Sequence, residues 1–258
     1  MMREEILIEI CVDSVGSAVA AERGGAQRIE LCGDLLEGGI TPSAGMIELV
    51  RAQVSIAVQV MIRPRGGDFF YCEDEFEVMR RDIETASKLG ANGVVFGMLD
   101  ADGNIDVPRS RRLVELARPL DVTFHRAFDM SADLFRSLEE VCGVGANRIL
   151  TSGGQPTAVH GLRTIAELVK AAKGRISIMP GSGIKPENAR RIVEASGVRE
   201  IHAGLGSSVP SAMRFRNPRI AMGSAPEREY QHGVVLEESV RSLCRAMWVK
   251  PAEPSETP

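Results

Sequence analysis

Residues 6–32 read ILIEICVDSVGSAVAAERGGAQRIELC, and this stretch decides the fold. It opens with Ile6, Ile8, Ile10 and Val12 alternating with Glu9 and Cys11, the period-two pattern of a strand. Helical spacing follows at Val15, Ala18, Val19 and Glu22, and Gly24-Gly25 stands where a helix C-terminus favours glycine. Arg28-Ile29-Glu30-Leu31-Cys32 then alternates again. Strand, helix and strand in so short a span make one βαβ unit.

The same unit repeats along the chain. Further apolar runs of strand length occur at 57–63, 93–99, 122–126, 148–152, 176–180 and 200–205, which makes eight with the first two. Helical spacing separates them, as at Phe76, Met79, Ile83 and Ala86. The 258 residues divided by eight come to about 32 per unit, the size of a βαβ repeat. Eight such units close into an α/β fold of a single (β/α)8 TIM barrel. An open doubly wound sheet would carry a GxGxxG or P-loop after its first strand, and neither is there. One barrel domain is expected over 1–249. The tail at 250–258, KPAEPSETP, offers no core residues and should be frayed. Segment 206–235 is too long for an ordinary connection and reads as a lid or a subunit contact.

Charge and composition narrow the function. Lys plus Arg number 31 against 35 Asp plus Glu, a net charge of −4, so no basic surplus favours a phosphate backbone. Aromatics are 4% of the chain, which leaves few base-stacking platforms, and no nucleic-acid partner is expected. No apolar stretch approaches the roughly 18 residues of a membrane span. Acidic residues precede the first apolar run, unlike a signal peptide, so the expectation is a soluble cytoplasmic protein with no membrane partner. Cys11, Cys32, Cys72, Cys142 and Cys244 are odd in number and scattered without a CxxC, which favours reduced thiols.

Where helices cover the outside of a barrel, alternation identifies the inward set. That set is polar: Glu9 and Cys11; Arg28, Glu30 and Cys32; Gln59, Met61 and Arg63; Thr123 and His125; Glu200 and His202. A barrel centre is usually filled by Val, Ile and Leu, and a buried charge needs a partner. One account is an ionic core in which Glu9, Glu30 and Glu200 neutralise Arg28 and Arg63. At the C-terminal ends of the strands, where barrel active sites sit, a functional account is favoured. Arg63 and Arg65 in RPRGGD offer guanidinium forks to a carboxylate or phosphate. His125 beside Arg126 and Asp129 offers a titratable imidazole. Thr151 with Ser152, and His202, also stand at strand C-termini, and Gly181 and Gly183 after the seventh strand with Gly204 and Gly206 after the eighth suit a phosphate on backbone N–H groups.

Several blocks resemble the CutC copper homeostasis family: EICVDS at 9–14, RIELC at 28–32, MIRPRGGDF at 61–69, TFHRAFD at 123–129, LTSG at 150–153 and MPG at 179–181. The resemblance spans about 5–245. It implies a TIM barrel, a cytoplasmic location, homo-oligomers and a role in copper homeostasis, with Cys11 and Cys32 as the Cu(I) ligands. Soft sulfur suits Cu(I), and the two sulfurs are expected roughly 3.5 to 5 Å apart, since bonds near 2.3 Å allow about 4.6 Å across a linear pair. A second reading is an enzyme acting on a small anionic metabolite. There Arg63 and Arg65 clamp the anion and His125 acts as acid or base with Glu9 or Glu30 as its partner, while Arg126, Ser152, Gly181, Gly183 and His202 line the site. No reaction is assignable from the sequence.

Overall fold

Each of the eight alternating runs forms a strand, and a helix returns the chain over its outer face. The computed structural model describes residues 6–220, 222 and 225–248. The strands are β1 (Leu7–Val12), β2 (Arg28–Leu31), β3 (Ala57–Met61), β4 (Gly93–Phe96), β5 (Asp121–Phe124), β6 (Arg148–Thr151), β7 (Ser177–Pro180) and β8 (Glu200–Ala203). Between them run α1 (Val15–Arg23), α2 (Ala44–Gln53), α3 (Glu73–Lys88), α4 (Val107–Ala117), α5 (Leu134–Val144), α6 (Leu162–Ala172) and α7 (Pro186–Ser196). The parallel order is β7-β6-β5-β4-β3-β2-β1-β8. At the remaining seam β7 and β8 lie side by side, and Ser177 Oγ donates to Glu200 Oε1 at 2.7 Å across it. The chain is therefore a nearly closed TIM barrel, and the tail expected at 250–258 lies outside the described residues.

Local chemistry sets the helix ends. Ser14 Oγ accepts from the Ser17 N–H at the start of α1, and Pro186 occupies the first turn of α7 after Lys185. Pro42 precedes α2 and does not open it. Ser43 is the cap, accepting from the Met46 N–H at 3.2 Å, because a hydroxyl satisfies a free amide and a proline ring cannot. The outward residues Ile8, Ile10, Val12, Ile29, Leu31, Val58, Val60 and Val94 are fully buried beneath the helices. Each such burial stabilises the barrel by about 1.5–3 kcal/mol.

Segment 206–235 is neither periodic nor unstructured. β9 (Gly206–Pro210) and β10 (Gln231–Val235) pair antiparallel outside the barrel, and α8 (Glu237–Trp248) then completes the helical ring. The hairpin is tied to the barrel where the Val235 N–H donates to Ser17 Oγ at 3.0 Å. α8 packs so closely on α1 that a Cβ at Gly24 would stand 2.5 Å from Val240 Cβ, which only glycine avoids. Between the hairpin and the loops after β1 and β2 lies a cavity of about 690 Å³, bordered by Asp13, Asp34, Leu36, Gly204 and His232.

Beneath the mouth the interior is ionic. Arg28 at the start of β2 bonds Glu9 on β1 and Glu200 on β8, and donates to Met179 Sδ at 3.1 Å. Arg148 Nε meets the same Glu200 at 3.0 Å, and its other nitrogens reach Thr123 Oγ1 and Asp121 Oδ2, each at 3.2 Å. The second cation of this core is thus Arg148 and not Arg63, which sits higher. Arg148 begins β6 with the alternation of an inward residue beside outward Ile149, and that parity was the available signal for it.

Candidate functional site

The sequence candidates fall into two groups at the mouth. One lies on β1, β2 and β8 and contains Glu9, Cys11, Glu30, Cys32 and His202, all buried. In register Cys11 faces Glu30, not Cys32, and Cys32 lies just beyond the end of β2. The stagger of the tilted strands nevertheless sets the two sulfurs diagonally, 3.9 Å apart. Cys32 Sγ also reaches Glu30 Oε2 at 3.5 Å. His202 Nδ1 meets Glu9 Oε1 at 2.8 Å, which turns Nε2 toward Glu30 Oε2 at 3.8 Å and into reach of the Cys11 sulfur. Glu30 Oε1 has no hydrogen-bond partner.

This nest fixes its own protonation. The Cys32 thiol donating to Cys11 lowers the Cys11 thiol to about 5 against the opposing effect of burial, with help from His202. The same bond, with burial, holds Cys32 well above the ordinary thiol range, so the pair shares one proton. Burial drives the Glu30 carboxyl well up, and the neighbouring Cys11 and Glu9 charges add to it. Burial opposes a charged His202, but Glu30, Cys11 and Glu9 together raise it well above the usual imidazole range. An ionised Glu30 would favour that imidazolium. The depth of Glu30 decides for a neutral carboxyl, leaving Glu9 and Cys11 as the anions that face His202.

A loop closes over the nest. Gly39, at φ 89°, would bring a Cβ to 3.0 Å from Cys32 Sγ and 3.6 Å from Met61 Cε, so only glycine lets the backbone lie on the sulfur. Arg63 holds this loop. Its terminal nitrogens donate to the carbonyls of Glu37 at 2.6 Å, Gly39 at 3.1 Å and Gly67 at 2.8 Å, and its Cζ lies 5.1 Å from the Phe69 ring centre. Arg63→Met is therefore expected to lower stability by roughly 2–4 kcal/mol, since it strips charged donors from three carbonyls. It should also speed amide exchange over residues 34–40, as hydrogen-exchange mass spectrometry would read. Unchanged exchange there would mean that Arg63 is not the latch.

The other candidates lie around β3, β5, β6 and β7. Arg65 is engaged by Glu75 at 2.5 Å, Asp68 at 3.0 Å and the Phe70 carbonyl at 2.9 Å. Arg126 bonds Asp129 at 2.7 Å and Ser152 Oγ at 2.8 Å. Asp129 is the hub of this knot, accepting from Thr151 Oγ1 at 2.5 Å, from the Ser152 N–H at 2.9 Å and from the Gly154 N–H at 3.0 Å. Asp129 meets Thr151 and Ser152 together at the end of β6, a pairing across the fold that the TFHRAFD block by itself does not show. The Gly181 N–H donates to the Thr151 carbonyl at 2.9 Å, and the Gly183 carbonyl accepts from Asn188 Nδ2 at 2.8 Å. Cys72, Cys142 and Cys244 stand apart from these groups as free thiols.

His125 is buried under Phe69, with ring centres 4.9 Å apart. Its Nδ1 accepts from the Ala127 N–H at 3.2 Å, which assigns the neutral proton to Nε2, and Nε2 has no partner. Burial, and then the charge of Arg63, lower its imidazole to about 3. The folded state thus refuses a proton that the unfolded chain takes up near pH 6.5. Stability is fully present above that pH and falls as pH drops toward 3. His125 is expected to stay neutral from pH 8 to about 4 in an NMR titration of its ring nitrogens. A midpoint near 6.5 would contradict the buried geometry.

The sequence profile of the CutC family matches residues 6–207. The mouse copper homeostasis protein cutC homolog is 53% identical over 238 residues, covering 92% of this chain and 88% of that protein. The human homolog is 51% identical over 238 residues, 92% of this chain and 87% of that protein. The crystal structure of the CutC protein from Streptococcus agalactiae superposes with a TM-score of 0.72 at 33% identity, over 77% of this chain and 98% of that one.

Proposed function

Because this chain belongs to the CutC family, whose members above are named for copper homeostasis, we propose that it binds Cu(I) through the thiolates of Cys11 and Cys32 at the C-terminal mouth of its barrel. One observation carries the reading: two buried sulfurs 3.9 Å apart, brought together from adjacent strands. The donor chemistry fits the cargo. Thiolates are the soft ligands that Cu(I) favours, and the lowered Cys11 thiol supplies one of them already ionised at neutral pH. The Gly39 loop and the wall of Met61 and Val95 shield the pair from water.

The experiment is an anaerobic Cu(I) titration of the protein and of its Cys11→Ser/Cys32→Ser variant, with a colorimetric Cu(I) chelator in competition. A cytoplasmic setting belongs to the same reading. Its support is five free thiols, which persist in a reducing compartment, and among the described residues no helix long and apolar enough to cross a membrane. Homo-oligomers are supported by the arm between β9 and β10, which exposes Met213, Phe215, Ile220 and Met222. The anion reading has less behind it, because Arg63, Arg65 and Arg126 each spend their guanidinium on nearby carbonyls, carboxylates or a hydroxyl.

A further inference from the structure

We propose that the nest also holds a four-coordinate divalent cation of borderline softness, of the zinc(II) class, with Cys11, Cys32 and Glu30 as ligands, His202 Nε2 as the fourth and Glu9 as the group that orients His202. The inference rests on the reading of Cys11 and Cys32 as metal ligands and adds three residues to it.

Four observations converge. First, the sulfur spacing fits a tetrahedral ion. With bonds near 2.3 Å, a tetrahedral angle puts two sulfurs about 3.8 Å apart and a linear arrangement about 4.6 Å. The 3.9 Å found here needs almost no movement for the tetrahedral case. Second, the donors present exceed what Cu(I) uses. The sulfurs of Cys11 and Cys32 and a Glu30 oxygen lie mutually within 4.8 Å, as do donor atoms of Glu9, Glu30 and His202, so Glu30 joins both groups. A carboxylate and an imidazole are hard and borderline ligands, which suit zinc and add little for Cu(I). Third, Glu30 Oε1 is buried and unpartnered in an interior where such an atom costs free energy, and an ion would satisfy it. Fourth, Glu9 on His202 Nδ1 at 2.8 Å forms the carboxylate–imidazole pair that orients the other ring nitrogen toward a metal.

The test uses the metals alone on the whole protein. Co(II) is added anaerobically as a spectroscopic stand-in, then displaced with Zn(II), in parallel with a Cu(I) titration. The expected Co(II) spectrum shows sulfur-to-metal charge transfer together with the intense visible bands of four-coordinate Co(II), lost on adding Zn(II). Glu30→Gln, which keeps the shape of the side chain, should weaken Zn(II) by about 10–100-fold or more while leaving Cu(I) within about threefold. His202→Asn should likewise weaken Zn(II) by about 10–100-fold, and circular dichroism of both variants separates ligand loss from unfolding. Cu(I) binding without any Co(II) or Zn(II) binding would overturn the inference and leave the Cu(I) reading intact. Zn(II) binding that Glu30→Gln does not change would remove Glu30 as a ligand. Tight Zn(II) binding with no Cu(I) binding would support the inference and overturn the Cu(I) reading.

Discussion

Replacing Cys11 and Cys32 together by serine is expected to abolish stoichiometric Cu(I) binding under reducing conditions. Serine is close in size, so the loop over Cys32 can still close, but its oxygen is hard and un-ionised at neutral pH. Each single variant removes half of a chelate and should lose more than the roughly 10–100-fold that disturbing an outer partner of a metal site costs. The proton balance gives a second readout. With the Cys11 thiol held at about 5 and Cys32 kept protonated, Cu(I) displaces about one proton at pH 7, not two. Calorimetric titration in buffers of different ionisation enthalpy measures that number. Stoichiometric binding retained by the double variant would remove both residues from the site.

Arg28→Met is expected to cause the largest loss of stability of any single substitution in the interior, about 3–5 kcal/mol, the cost of leaving a buried charge without its partner. Glu200 would keep Arg148 at 3.0 Å and Ser177 at 2.7 Å, whereas Glu9, fully buried, would keep only His202. Burial works against an ionised Glu9. The charge of Arg28 and the His202 bond override it and hold the carboxyl at about 2. A carboxyl depressed in the folded state stabilises it above the unfolded value near 4.5, and that contribution is lost as pH falls through to about 2. The gap between wild type and Arg28→Met should therefore be widest at neutral pH and narrow below about pH 4. Urea unfolding at pH 7 and at pH 4 checks both parts. Equal stability at pH 7 would show that the ion network adds nothing net.

Much of the barrel was legible because alternation and helical spacing belong to short stretches of chain. Ile8 and Ile10 against Glu9 and Cys11 declare which face meets the helices, whatever lies elsewhere. The hairpin of β9 and β10 escaped because Gly206–Pro210 and Gln231–Val235 have little apolar alternation, and an exposed two-stranded arm needs little. Arg63 points inward as its parity requires. It pairs with loop carbonyls instead of glutamates because the returning chain at 37–39 reaches it before any carboxylate does.

By itself the sequence determined the eight βα units, their closure as a barrel, the inward direction of Glu9, Cys11, Arg28, Glu30 and His202, and the family. Only the tertiary structure decided who meets whom. Cys11 is level with Glu30, and it is the stagger of strands around the closed barrel that carries Cys32 to its sulfur. His202 joins them from the far end of the chain because β8 closes against β1. The physical reason is one of range. A side chain's direction follows from the backbone geometry of its own strand, while its partner depends on strand tilt, ring closure and loop return, which many distant residues set together.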